Sequence, residues 1–363
     1  MGVPDEHPEL FEGLTRVQHM VEKGVMDHVP EAFIQPPHMR SAARTLDLDL
    51  QIPVIDMALL TRDSQGKKQV LADITRACEQ YGFFQVINHG VPESLMDAAM
   101  AMAKKFFALS AEEKEVYKHQ AASGAVGYGR IFEEYRKPDE VKEWLDRLTL
   151  DLSSARDPSQ SWLVINNPPG FQEMYDEYGK AVYELHKKLL GIISEELGQA
   201  PDFLYSKLGG EKAFMRTMFN YYPPCPQPEL VMGSASHADA CALTILQQQV
   251  PGLQLLHDGI WVPVPTSFDH AFVVNIGDSL QIISNGRFKS VLHRAVVHNT
   301  SRISIPNFLA PGVDILMQPA VEMCDPITNP PIYKGVTLSD FLKFVIAEGY
   351  GRSESRAVEH FRI

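Results

Sequence analysis

His237 and Asp239 stand two residues apart, and a second histidine, His293, follows later in the chain. In extended backbone, residues at i and i+2 project to the same face. The imidazole of His237 and the carboxylate of Asp239 therefore share a side, and His293 is delivered from another strand. Two imidazoles and one carboxylate can occupy one face of an octahedral metal and leave three positions open, the ligand arrangement of non-haem Fe(II) oxygenases. Zn²⁺ accepts the same donors, but an open triad beside a co-ligand site favours iron. Arg302 and Ser304 supply such a co-ligand site. They share a strand face by the same rule, and a guanidinium fork plus a hydroxyl suits a terminal carboxylate. Asn220 and Tyr222 fall on one face of an earlier strand and can add hydrogen bonds to the same small acid. An arginine two strands' length from a metal, with an acid between them, is the geometry 2-oxoglutarate requires.

Each of these residues has a plainer reading. A His-x-Asp by itself is usually a surface pair, and it gains weight here only through His293 and Arg302. His89 reads as structural, at a strand end with no carboxylate nearby in sequence, and His257, His270 and His298 read as solvated imidazoles near turns. Cys225 and Cys241 lack a basic activator and read as small core residues. The glycines at 124, 127 and 129 lack the Lys-Ser/Thr of a phosphate loop, so a loop beside the active site is the better reading. The chain shows no Ser-His-Asp set and no paired carboxylates, and metal chemistry of this kind needs no general base.

The elements that must hold these groups change character along the chain. The spacing of Leu10, Leu14, Val17, Val21 and Val25 predicts an amphipathic helix over 8–29. An extended linker follows through Pro30, Pro36 and Pro37, then a short buried strand at 52–56. Helices are expected over 68–80 and 92–108, separated by a β-rich run at 82–88, and Ser110 with Glu113 reads as a capping box. Residues 120–170 read as irregular, and a long amphipathic helix follows at 171–197. From Phe214 the texture turns to short β runs at 214–222, 243–247, 253–256, 260–264, 272–276, 280–283, 291–298 and 303–309. Asp258-Gly259 and Asn285-Gly286 read as hairpin turns. Such a series of short strands implies a β-sandwich or jelly-roll barrel, and 337–349 reads as a closing helix.

Composition narrows the class. With 363 residues, 45% hydrophobic and 22% charged, the chain is an ordinary globular one, long enough for a sizeable core. Its formal net charge of −13 provides no global field for a polyanion, so no nucleic-acid partner is expected. Four widely spaced cysteines without a CxxC fit free thiols in a reducing compartment. No run of apolar residues is long enough to span a membrane, and residues 1–30, with Asp5, Glu6, Glu9 and Glu12, show no signal-peptide core. A cytoplasmic, monomeric protein with no membrane partner is the expectation.

In order along the chain stand Gly82-Phe83-Phe84-Gln85-Val86-Ile87-Asn88-His89-Gly90-Val91, Asn220 to Cys225, His237-x-Asp239, Gly252-Leu253-Gln254, Trp261, Asn275-Ile276-Gly277-Asp278, Ser284-Asn285-Gly286, His293-Arg294 and Arg302-x-Ser304-x-x-x-Phe308. Together they resemble the plant-type Fe(II)/2-oxoglutarate-dependent dioxygenases, with the isopenicillin N synthase-like fold, over about Ile52 to Tyr333. The resemblance implies a mainly β protein with surrounding helices: a mostly helical N-terminal region over 1–200, a double-stranded β-helix (jelly-roll) core over 201–315, and a C-terminal segment over 316–363 with the closing helix. It implies that His237, Asp239 and His293 ligate Fe(II), and that Arg302, Ser304, Asn220 and Tyr222 hold 2-oxoglutarate as co-substrate. O₂ is then the oxidant, ascorbate an activator, and succinate and CO₂ are released. The carried-over substrate positions are Tyr128, Met218, Phe308 and Ala310, with Trp144 near the entry. These are uncharged, and with a resemblance to the coumarin-forming branch they suggest hydroxylation of a small, largely apolar aromatic metabolite such as a phenylpropanoid, coumarin or flavonoid. Three alternatives stay open: a same-fold iron oxidase that does not use 2-oxoglutarate, an oxygenase of an alkaloid, indole or terpenoid hormone, and a non-catalytic binder of small molecules.

Overall fold

The computed structural model describes residues 16–23, 28–40, 52–118, 126–129, 141–153, 163–348 and 356–363. Helices are α1 (Val17–Glu22), α2 (Leu59–Arg62), α3 (Ser64–Gln80), α4 (Glu93–Phe107), α5 (Ala111–Glu115), α6 (Phe171–Glu196), α7 (Phe203–Lys207), α8 (Asp278–Ile283), α9 (Leu338–Glu348) and α10 (Ala357–His360). Strands are β1 (Val54–Asp56), β2 (Phe83–Ile87), β3 (Gly127–Tyr128), β4 (Asp146–Ser153), β5 (Phe214–Tyr222), β6 (Ser234–His237), β7 (Leu243–Gln248), β8 (Leu253–His257), β9 (Ile260–Pro263), β10 (Phe272–Ile276), β11 (His293–Ala295), β12 (Arg302–Ala310), β13 (Leu316–Met317) and β14 (Val336–Thr337). Eight strands form a major sheet in the order β1-β2-β10-β7-β12-β5-β4-β3, and four form a minor sheet, β6-β11-β8-β9. Leu246 and Val273 of the major sheet join Leu253, Leu255 and Val262 of the minor one in a single apolar cluster, so the two sheets pack face to face. This is the expected jelly-roll, with a mostly helical N-terminal part.

Period-two alternation in the major sheet divides its residues between two surroundings. On β12, Ile303, Ile305 and Leu309 join the large core that also contains Val182, Leu189 and Ile193 of α6. The intervening Arg302, Ser304, Pro306, Phe308 and Ala310 face a cavity between the sheets. On β5, Met215 and Phe219 belong to the core, while Arg216, Met218, Asn220 and Tyr222 face the cavity. The polar residues that carry chemistry are thus spaced by strand geometry, with a helix-backed core beneath them.

Most expected elements are present, and four differ. Of the helix expected over 8–29, Val17–Glu22 is helical, while Leu10, Leu14 and Val25 lie outside the described residues. The stretch read as irregular contains the eight-residue strand β4, paired with β5 along its whole length. Its charged residues Asp146, Arg147 and Asp151 hide the alternation, because each has a buried or cross-strand partner rather than solvent. Residues 280–283, read as a strand, form the end of helix α8, whose six residues are all buried; a short apolar run buried on every side carries no period that tells helix from strand. Asn285 and Gly286 do adopt positive φ, but they close α8 instead of joining two strands. Asp258 and Gly259, by contrast, make the β8–β9 hairpin, both with positive φ. The Ser110 capping box is formed as read.

Candidate metal centre and cavity

The minor sheet brings the first three residues together. β11 pairs antiparallel with β6 so that His293 lies opposite His237, and the two rings stand 4.3 Å apart, centroid to centroid. Asp239 follows β6 directly. Its Oδ1 is 3.7 Å from Nε2 of His237 and 3.5 Å from Nε2 of His293, and one ligand atom from each residue lies within 4.8 Å of the others. The other donors are committed. Nδ1–H of His237 donates to the Ala235 carbonyl at 2.7 Å, and that of His293 to the Val291 carbonyl at 3.1 Å. This fixes the tautomers and turns both Nε2 atoms toward the carboxylate. Oδ2 of Asp239 accepts from Thr244 Oγ1 at 2.6 Å and Asn275 Nδ2 at 2.8 Å. Asn275 stood in the sequence motif without a role, and Thr244 is a residue that sequence reasoning missed; its place on β7, a register step from the site, carried no local signal. Glu143 takes the Ala235 N–H at 2.8 Å and so anchors β6.

Asp239 and His293 are buried. Burial works against the Asp239 carboxylate, but the two imidazoles and the Thr244 hydroxyl outweigh it and hold the group well below the usual range. Burial and the neighbouring His293 push His237 down to about 4, so its Nε2 is a lone-pair donor at neutral pH. His293 is held above its ordinary value, because Asp239 overrides the effect of burial. Two nitrogen donors and one anionic oxygen around one point fit a borderline divalent ion such as Fe(II) or Zn²⁺.

Arg302 lies at the other polar end. It is 1% exposed, and its guanidinium carbon sits 4.8 Å over the Tyr222 ring. Nε–H donates to the Val250 carbonyl and Nη2 to Gln248 Oε1, each at 3.1 Å. Nη1 has no hydrogen-bond partner, and the guanidinium has no carboxylate partner, among the described residues. A buried charge left so is costly, and an anion in the cavity would satisfy it. Ser304 Oγ stands 3.4 Å from Tyr222 Oη and 3.5 Å from Asn220 Nδ2, so the four residues form one polar wall.

Triad and wall line one cavity of about 620 Å³, ample for a small ligand. Met218, Phe308 and Ala310 line its remaining side with Leu342 and Phe344 of α9. Tyr128 does not: it is buried outside the cavity, its ring against Phe106 and beneath the Arg16 guanidinium. Trp144 is likewise enclosed, its indole N–H donating to the Pro223 carbonyl. Four cations that the sequence reading had not placed here do line the cavity, Arg147, Arg216, Arg294 and Arg356. Arg216 is neutralised by a two-pronged bridge to Asp151, both contacts 2.8 Å. Arg356 donates from Nη2 to Gln281 Oε1 at 2.6 Å and lies 3.7 Å from Asp278 Oδ1 and 3.8 Å from Glu359 Oε1, while its buried Nε has no hydrogen-bond partner among the described residues. His89 is a structural group, as read, bonded to the His270 carbonyl and the Val91 N–H. The four cysteines are free thiols. Among the described residues no helix is long and apolar enough to cross a membrane.

Comparison with known proteins agrees with this geometry. Residues 52–169 match the N-terminal family model described for a non-haem dioxygenase in morphine synthesis, and residues 213–311 match the 2OG-Fe(II) oxygenase superfamily. Jasmonate-induced oxygenase 1 of Arabidopsis thaliana is 38% identical over 99% of this chain and 88% of its own length. Flavanone 3-dioxygenase 2 of Oryza sativa subsp. japonica is 36% identical over 90% of this chain and 93% of its own. The crystal structure of JOX2 in complex with 2OG, Fe and JA superposes with a TM-score of 0.83, at 33% identity, covering 96% of this chain and 98% of that one. A dioxygenase for auxin oxidation in rice superposes with a TM-score of 0.67 at 26% identity, covering 86% of this chain and all of that one.

Proposed function

The chain belongs to the 2OG-Fe(II) oxygenase superfamily, and from that premise we propose that His237, Asp239 and His293 hold the iron, that Arg302, Ser304, Asn220 and Tyr222 hold 2-oxoglutarate, and that the remaining wall takes a small, largely apolar metabolite with one acidic group. The protein is an oxidoreductase of the plant-type branch, using Fe(II) and 2-oxoglutarate. The observation that carries the co-substrate assignment is the buried Arg302 guanidinium, which lines the cavity and, among the described residues, has no hydrogen-bond partner for Nη1 and no carboxylate of its own. Iron bound at the triad supplies the oxidising chemistry, drawing on O₂ and on 2-oxoglutarate, which leaves as succinate and CO₂.

The chain's own contribution is placement. Thr244 and Asn275 orient Asp239, the Ala235 and Val291 carbonyls orient the imidazoles, and Arg302 anchors the acid at a fixed distance from them. Met218, Phe308 and the α9 side chains exclude water from the substrate's apolar body. Arg356 supports the acidic group, since it lines the cavity and, beside its ion pairs with Asp278 and Glu359, keeps a buried Nε with no hydrogen-bond partner among the described residues. JOX2 binds JA, the rice relative oxidises auxin and another relative is a flavanone dioxygenase, so the scaffold serves several apolar ligands. The phenylpropanoid class stays within this reading through its aromatic acids.

Succinate release that requires both iron and 2-oxoglutarate, assayed with ascorbate, tests the cofactor half. Turnover of substrate without 2-oxoglutarate would support the alternative oxidase. A panel of aromatic and aliphatic acids beside their methyl esters tests the substrate half: acids are expected to win by about tenfold, the size of one charge-assisted contact. Equal turnover of the esters would return the assignment to a neutral coumarin or flavonoid.

A further inference from the structure

A polar row crosses four neighbouring strands of the major sheet at one register. Arg147 on β4 pairs with Asn220 on β5, Asn220 with Ser304 on β12, and Ser304 with Gln248 on β7. Cross-strand neighbours at one register lie close enough for their side chains to interact directly, and here the first two pairs do. Nε–H of Arg147 donates to Asn220 Oδ1 at 2.6 Å, Asn220 Nδ2 points to Ser304 Oγ at 3.5 Å, and Gln248 accepts from Arg302. Arg147 lines the same cavity as Asn220 and Ser304.

A primary amide has one acceptor and one donor end of nearly the same shape, and only its hydrogen bonds decide which end faces which way. For Asn220 the decision matters, because the proposed ligand is an anion. The donor end would bind its oxygens and the acceptor end would repel them. Arg147 settles the orientation: a charge-assisted N–H on Oδ1 is among the stronger bonds such a group can make, and it leaves Nδ2 toward Ser304 and the cavity. We propose that Arg147 is a positioning residue for 2-oxoglutarate, locking the Asn220 amide with its donor end toward the co-substrate. This rests on the assignment of Asn220 and Arg302 to 2-oxoglutarate.

The test is calorimetric titration of 2-oxoglutarate into the Mn²⁺-loaded full-length protein without oxygen, so that binding is read without turnover. Arg147→Met is expected to weaken binding about fivefold to tenfold, as expected for one charge-assisted hydrogen bond. Arg147→Lys, which keeps the charge and loses the fork, is expected to recover part of that. In an Asn220→Ala background the same Arg147→Met change is expected to cost less than about twofold, because the residue through which it acts is gone. An equal loss in both backgrounds would overturn the proposal, as would no loss in either. If Arg147→Met fails to fold, Arg147→Lys in the two backgrounds decides by the same comparison. Arg302→Ala separates the premise: unchanged binding there would overturn the 2-oxoglutarate assignment itself, whereas loss there with none at Arg147 would overturn only the role of Arg147.

Discussion

At one end of the cavity the three side chains proposed to bind the metal stand on or beside two paired strands, β6 and β11, and each is fixed by a hydrogen bond to a backbone carbonyl or to a side chain of a neighbouring strand. At the other end the wall is gathered from β5, β12 and the C-terminal helices α9 and α10, and two of its cations, Arg302 and Arg356, each keep a buried nitrogen with no hydrogen-bond partner among the described residues. The first region is set by hydrogen bonds and a sheet register, which a substitution elsewhere moves little. The second is set by packing between distant parts of the chain. A chain built so keeps its reaction while its ligand changes, since function resides in sites placed on a common scaffold.

The largest break in that comparison is removal of one of the proposed metal ligands. His237→Ala, Asp239→Ala and His293→Ala are each expected to abolish iron retention and succinate formation while the protein keeps its far-ultraviolet circular dichroism, because the site is small against the cores that stabilise the fold. Full activity with iron retained in any of them would remove the assignment. Thr244→Val is the next largest. It strips one of two hydrogen bonds from Asp239 Oδ2 without touching the metal-facing Oδ1, and such supporting bonds are typically worth about 10–100-fold in metal affinity. Iron affinity by competition with a chelator checks it, and an effect under twofold would show that Thr244 does not hold the metal end in place.

At the substrate end, Phe308→Ala should cost about tenfold in substrate affinity and leave 2-oxoglutarate affinity unchanged, because the side chain faces the cavity and is only partly buried. Uncoupled conversion of 2-oxoglutarate should persist. If Phe308 were a core residue instead, the protein would lose about 3–5 kcal/mol of stability and both ends would weaken together. Thermal unfolding beside the two titrations distinguishes these outcomes.

The same contrast explains what could be read from the chain. His237, Asp239, Arg302, Ser304, Asn220 and Tyr222 were legible because each pair obeys the i, i+2 rule of a strand, so a local spacing carried a spatial fact. Met218, Phe308 and Ala310 came through resemblance and do line the cavity. Tyr128 failed on the same grounds, because burial against Phe106 and Arg16 is decided by distant partners. Arg147, Asp151 and Arg216 were illegible as a group. Arg147 and Asp151 lie on β4, whose charges imitate a loop, and only its register with β5 shows that Asp151 meets Arg216 and Arg147 meets Asn220. Arg356 enters from the far C-terminal end, with no spacing to connect it to the triad.

The smallest expected effect falls on neither end alone, which makes it a control for both. His186 of α6 is fully buried, with Nδ1 3.0 Å from the Val182 carbonyl and Nε2 3.1 Å from the Asn307 carbonyl of β12. It joins the helical layer to the back of the sheet that carries the cavity. Burial, outweighing the two carbonyls, lowers its pKa from 6.5 to about 4. The unfolded chain therefore binds a proton near pH 6.5 that the folded protein refuses until about pH 4. Stability from this residue is complete above pH 6.5 and is lost as pH falls toward 4, the unfolded state binding more protons throughout that window. Between pH 8 and pH 6 the linkage amounts to about 1 kcal/mol. Urea unfolding at the two pH values should show the wild-type protein losing about that much more than His186→Gln, which carries no titrating ring. Because the change acts on global unfolding, iron affinity and 2-oxoglutarate affinity of the folded variant at pH 8 should both match the wild type. Parallel pH dependence in the two proteins would show that the folded state admits the proton. Loss at only one end of the cavity would show instead that α6 shapes that end directly.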